Sequence, residues 1–208
     1  MFILSVLSDL VKIQPHEFGT PRKEAIVKNI NKKYSNRVIP NLGLAICVWD
    51  LVSVDDGRLK PGDGSIYINV KFRMSVFKPF VGEVMEGWIE ESTENGLKIK
   101  TSFFNEIFVP KDLLFENSRF DPVEKSWVWK PYLTDDDDTL LYLDLNEKIR
   151  FRIHEEVFNN IKPTGPNDDD DDDEESNFDS KPDKAFKPPA YALIASCQTD
   201  GMGAISWW

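Results

Sequence analysis

Ile66-Tyr67-Ile68-Asn69-Val70-Lys71-Phe72-Arg73-Met74-Ser75-Val76 alternates apolar and polar side chains without interruption. A period of two places Ile66, Ile68, Val70, Phe72, Met74 and Val76 on one face of a strand, and Tyr67, Asn69, Lys71, Arg73 and Ser75 on the other. One face is core; the other meets water or a partner. Just upstream, Asp55 to Ser65 carries Gly57, Pro61, Gly62 and Gly64, turn chemistry that predicts an irregular, projecting loop. Before it, Leu44 to Val54 is aliphatic, contains Trp49, and reads as a second buried strand. Farther back, Ile26, Ile30 and Tyr34 recur every four residues with Val27 beside them, which predicts a helix capped by Thr20 with Pro21 in its first position. Arg22, Lys23, Lys28, Lys32 and Lys33 fall on its wet side. Phe2 to Ile13 has the aliphatic density of a buried strand. The order strand, helix, strand, strand predicts an α+β layer with a helix on one sheet face.

Downstream, Pro79 marks a hand-over, so we expect one domain over residues 1–80 and another over 81–208. The second reads as all-β. Gly82 to Glu91, Gly96 to Phe103 and Glu106 to Pro110 are short strand-like runs parted by turn residues such as Asn95-Gly96. Glu147 to His154 directs Ile149, Phe151 and Ile153 inward and Lys148, Arg150, Arg152 and His154 outward. Lys98 and Lys100 point outward in the same way between Leu97, Ile99 and Thr101. Tyr191 to Cys197 and Ala204 to Trp208 are strand-like again, with Gly201 and Gly203 turning the chain between them. About five such strands closing on one core make an OB-type barrel, a common module for single-stranded nucleic acid.

Residues 163–189 are dominated by acids, Pro, Ser and Asn, and are expected to form a disordered insert within the second domain. The net charge of -11 misleads, because Asp135 to Asp138 and Asp168 to Glu175 hold 12 of the 36 acids. Without these runs, 24 acids face 25 Lys plus Arg, so the folded body is close to neutral and compatible with a basic surface. Cys47 and Cys197 lie in apolar segments and read as buried thiols of a reducing compartment. Met1 to Val11 lacks a basic leader and is interrupted by Ser5, Ser8 and Asp9, so it does not read as a signal peptide. No stretch reaches the length of a membrane helix, and no membrane partner is expected.

Catalytic chemistry is poorly supplied. The two histidines, His16 in a loop and His154 on a strand face, sit in no recognisable catalytic motif. No zinc spacing, nucleophile elbow or Walker loop is present, and Gly62-Asp63-Gly64 lacks the Lys and hydroxyl of a phosphate cradle. Asp168 to Asp173 lacks the spacing and Gly of a calcium loop and reads as a solvated run. We therefore expect no cofactor and no metal. The outward row Lys98, Lys100, Lys148, Arg150 and Arg152 fits a phosphate track, with Trp88, Phe103, Phe104 or Phe108 as stacking platforms. It equally fits a wet strand face with aromatics in the core.

Gly62-Asp63-Gly64-Ser65, Tyr67 and Phe72, followed by Val76-Phe77-Lys78-Pro79-Phe80, Gly82-Glu83-Val84 and Gly87, together resemble the larger stalk subunit of archaeal and eukaryotic RNA polymerases. The junction run VFKPFVGEV is specific, and the resemblance extends over the whole chain from Met1. The ending CQTDGMGAISWW at 197–208, preceded by KPPAYAL at 187–193, is similar to the RNA polymerase III member rather than the polymerase II one. The resemblance implies a truncated RNP-like amino-terminal domain followed by an OB-fold barrel. It further implies a non-catalytic nuclear subunit that pairs with a smaller helical stalk subunit, docks on the RNA polymerase III core, supports initiation alongside initiation factors, and meets single-stranded nascent RNA. By position, the docking tip corresponds to Asp55, Asp56, Gly57, Lys60, Pro61, Gly62, Asp63 and Gly64. The RNA-facing surface corresponds to Trp88, Lys98, Lys100, Lys148, Arg150 and Arg152.

Two other classes compete with this reading. A free-standing OB-fold protein acting in translation or RNA decay would account for the barrel alone. A hydrolase using Glu83 and Glu86 has no motif to support it.

Overall fold

A computed structural model describes residues 1–131, 140–159 and 188–207. Both acidic runs, and the expected insert through residue 187, lie outside the described residues. The chain divides into two compact units, Met1–Met85 with Arg152–His154, and Glu86–Phe151 with Glu155–Trp208.

The first unit is a sheet with a helix on one face. Its strands are β1 (Phe2–Ile13), β2 (Arg37–Ile39), β3 (Gly43–Val54), β4 (Arg58–Leu59) and β5 (Ile66–Phe77), and its helix is α1 (Arg22–Tyr34). The spatial order is β1-β5-β3-β2, with β4 also paired to β5. β5 is central and obeys its alternation, since Ile68, Val70, Phe72, Met74 and Val76 are all buried. They pack with Ile26 and Ile30 of α1, whose four-residue spacing puts both on the sheet side.

Several expectations need correction here. β1 is not a buried strand: only Val11 and Ile13 are buried, while Phe2, Ile3, Leu4, Val6 and Leu10 are exposed. Among the described residues it is an edge strand that pairs with β5 and no other strand, and its apolar content is split between two faces. β3 is buried only over Gly43 to Ala45, and register shifts at its bulges accompany exposure of Trp49 and Val52. Cys47 on that strand is exposed, not buried. The Asp55–Ser65 loop is not wholly irregular, because Arg58 and Leu59 pair with Tyr67 and Ile66. The helix cap is Pro21, and the Thr20 hydroxyl instead donates to the Glu17 carbonyl.

The second unit contains the barrel. Its strands are β6 (Val84–Thr93), β7 (Gly96–Lys100), β8 (Ile107–Pro110), β9 (Ser118–Asp121), β10 (Ser126–Trp129), β11 (Leu141–Leu143), β12 (Lys148–Phe158), β13 (Tyr191–Ser196) and β14 (Gly203–Ala204). β6, β7 and β8 form an antiparallel meander, β13 runs parallel to β8, and β13 also pairs with β12, which neighbours β6 and closes the ring. Five strands closed in this order, with β8 and β13 parallel, are consistent with an OB fold. Ile89, Leu97, Ile99, Ile107, Val109, Ile149, Phe151 and Leu193 fill the interior without solvent exposure.

Asn159 lies beside Pro189 and Ala190. The Asn159 backbone N–H donates to the Ala190 carbonyl at 3.0 Å, and its side-chain amide donates to the Pro189 carbonyl at 2.7 Å. Ala204 to Trp208 is less extended than expected: β14 stops at Ala204 and a 3-10 turn covers Ile205–Trp207. The small β11-β10-β9 sheet has no counterpart among the strands expected from the sequence. It is fastened by indole donors, Trp127 Nε1 to the Thr93 carbonyl at 2.9 Å and Trp129 Nε1 to the Glu116 carbonyl at 3.1 Å. Trp129 also stacks on Phe115 and on Trp207, at 4.5 and 5.5 Å between ring centroids.

Candidate nucleic-acid interface and docking surfaces

On the barrel, antiparallel pairing of β6 with β7 sets Trp88 directly opposite Lys100 and Glu91 opposite Lys98. Trp88 is exposed, and Lys100 has no ion pair among the described residues. Lys98, Lys148 and Arg150, expected in the same row, are compensated. Lys148 Nζ lies 2.7 Å and Arg150 Nη2 3.4 Å from the two carboxylate oxygens of Glu86, and Lys98 Nζ lies 3.6 Å from Glu90. Hydrogen bonding from Lys148, its charge, and then Arg150 hold the Glu86 carboxyl below its ordinary range. Sequence reasoning had the cations and missed this, because Glu86 and Lys148 are distant along the chain and only the barrel brings them together.

Four further expected residues need comment. Phe104 is buried and belongs to the core, packing its ring 5.6 Å from that of Tyr191, so it offers no stacking face. Phe103 and Phe108 are exposed, and Phe108 sits opposite Lys98. Arg152 is exposed and follows Arg150 by two residues on β12.

In the first unit, the expected tip is pinned at its base and clipped at its end. Arg22 donates to the Asp55 carbonyl at 2.6 Å, and the Asp55 backbone N–H donates to the Asn69 carbonyl at 3.0 Å. At the other end Lys60 and Ser65 close a turn through a 3.0 Å backbone bond, with Gly62 and Gly64 at positive φ. Asp63 accepts from Lys12 at 3.0 Å and from the Tyr67 hydroxyl at 3.3 Å. Asp55, Asp56, Gly57, Lys60, Pro61, Gly62 and Asp63 are all exposed, and Gly64 is half-buried.

The sheet face away from α1 is open. β1 presents Leu4, Val6 and Leu10 there, opposite Ser75, Arg73 and Asn69 of β5. Arg73 in turn pairs with Asp50 of β3. This is an apolar margin beside a polar centre, on a strand whose outer edge pairs with no strand among the described residues.

Glu83 and Glu86, the carboxylates a hydrolase would need, are both engaged: Glu83 holds the Met1 amino group at 2.7 Å within the first unit, and Glu86 holds the cations described above. Among the described residues no group of three or more His, Cys, Asp or Glu is placed to hold a metal, and no helix is long and apolar enough to cross a membrane.

The family described as "RNA polymerase III subunit Rpc25" matches residues 83–208. The chain belongs to that family. The domain described as "SHS2 domain found in N terminus of Rpb7p/Rpc25p/MJ0397" matches residues 8–64, which makes the first unit an SHS2 domain. DNA-directed RNA polymerase III subunit RPC8 of Saccharomyces cerevisiae is 47% identical, with 100% of both chains covered. The protein of that name in Bos taurus is 35% identical over 100% of this chain and 98% of its own. DNA-directed RNA polymerase II subunit RPB7 of Saccharomyces cerevisiae is 31% identical but aligns with only 55% of this chain and 71% of its own. Family members are thus polymerase subunits, and the full-length matches are to polymerase III. This agrees with the resemblance carried by the junction and the ending.

Proposed function

We propose that this chain is the larger, non-catalytic stalk subunit of nuclear RNA polymerase III. In this reading, residues 1–80 form a docking domain and 81–208 an RNA-facing one. The smaller helical stalk subunit covers the open sheet of the first domain, and the Asp55–Gly64 tip seats on the polymerase core. The assembled stalk supports initiation with initiation factors and then meets nascent single-stranded RNA.

The observation that carries the proposal is the exposed row Leu4, Val6 and Leu10 on an edge strand whose outer side pairs with no strand among the described residues. A long apolar edge left bare invites non-specific pairing, and proteins that keep one normally cover it with a partner. RNA contact rests on the pairing of exposed Trp88 with uncompensated Lys100, which supplies one stacking face and one phosphate partner without base-specific readout.

Affinity purification of the tagged chain from nuclear extract, washed at moderate salt and followed by mass spectrometry, tests the assembly. Recovery of a smaller stalk subunit with the polymerase III core is expected. Recovery of ribosomal or decay factors in their place would overturn the proposal in favour of a free RNA-binding module.

A further inference from the structure

We propose that Glu86 is a built-in competitor for RNA phosphate on the barrel face, holding Lys148 and Arg150 until RNA displaces it. The inference rests on the RNA-facing reading above and specifies how that face is regulated.

Glu86 uses one carboxylate oxygen for Lys148 and the other for Arg150, which is the bidentate role a phosphate group would take between the same two cations. All three side chains are more than a third exposed, so the pairs are screened and readily exchanged. Two residues farther along β6 is Trp88, with Lys100 opposite it, and then Glu90, which holds Lys98. The strand therefore reads carboxylate, indole, carboxylate, and each carboxylate compensates cations that the sequence alone would assign to RNA. Beside Trp88, an incoming strand finds Lys100 without an ion pair among the described residues. To engage Lys148 or Arg150 its phosphate must displace Glu86, leaving a carboxylate without its partners beside a second negative group. Counterion release scales with the cations actually given to phosphate, so this exchange lowers both affinity and salt dependence. A weak contact without sequence preference suits a transcript that must keep moving past the surface.

The test is fluorescence anisotropy of the full chain with a labelled 12-nucleotide oligouridylate across a salt series, comparing wild type with E86Q, K100A and E86Q/K148M/R150M. Glutamine preserves the size of the side chain, removes its charge and replaces one of the two acceptor oxygens with a donor. E86Q is expected to bind about threefold tighter or better, with a log-log salt slope steeper by about 0.7 for each phosphate gained. The triple variant is expected to lose that gain. If E86Q binds no tighter than wild type while K100A still weakens binding, the competitor role is wrong and the RNA face stands. If K100A leaves affinity unchanged, or no form binds, the RNA-facing reading falls as well.

Discussion

Gly96 of β7 and Val109 of β8 approach so closely that a Cβ on Gly96 would stand 2.1 Å from the Val109 carbonyl oxygen. Gly96 also has φ of +147°, a conformation that L side chains rarely adopt. Substitution with Ala thus adds a backbone collision to conformational strain, at the point where the first hairpin of the barrel turns. We expect G96A to destabilise the second unit by about 3 kcal/mol. A fall in the urea midpoint followed by tryptophan fluorescence checks it, since the tryptophans Trp88, Trp127, Trp129 and Trp207 report on that unit.

Phe72 and Leu10 are both large apolar residues of one sheet, but Phe72 is fully buried and Leu10 is half-exposed. F72A removes a ring that packs on Tyr34 at 5.9 Å and should cost about 3–5 kcal/mol. L10S should stay within about 0.5 kcal/mol of wild type in the isolated chain. The same substitution is expected to reduce recovery of the smaller stalk subunit in co-purification. Loss of stability in L10S would show that the open face is not waiting for a partner.

This contrast marks what the sequence made legible. β5 was readable residue by residue because its two faces meet different surroundings, helix on one side and a polar surface on the other. β1 was misread for a related reason: apolar residues kept for a partner have the composition of apolar residues kept for a core, and burial is set by whether the partner is present. β2, with three residues, and β9 to β11, with three or four each, are too short to show a period. The cations of the candidate RNA face could be named from alternation along single strands. Their neutralisation by Glu86 and Glu90 could not, because cross-strand register is a property of the closed barrel.

The two thiols should behave differently towards alkylation. Cys197 is fully buried, and desolvation pushes its thiol up to about 12, so it supplies almost no thiolate near neutral pH. Cys47 is exposed. Brief treatment of the native protein with iodoacetamide should modify Cys47 alone, and both thiols should react in denaturant. Peptide mass spectrometry checks this, and modification of native Cys197 would mean that the β12–β13 side of the barrel opens easily.

Lys12 and Asp63 fix the end of the Asp55–Gly64 loop to β1, and the pair gives the tip a defined response to acid. The hydrogen bond from Lys12 is the largest influence on Asp63 and lowers its pKa below the ordinary aspartate value, with smaller help from the Lys12 charge and from Tyr67. Because the folded pKa is depressed, the clip is fully present above the unfolded value and is lost as pH falls through the folded one. The tip should therefore stay closed through the range in which a free aspartate becomes protonated, and loosen only below it. In K12M the Asp63 titration should move back up towards its ordinary value. A carboxyl-detected NMR titration of both forms measures this directly. Loss of Lys12 should also weaken docking, since it releases the turn between Lys60 and Ser65 that presents Pro61 and Gly62. An unchanged Asp63 titration in K12M would mean that the two side chains do not meet in solution, and that the loop is held by its backbone bonds alone.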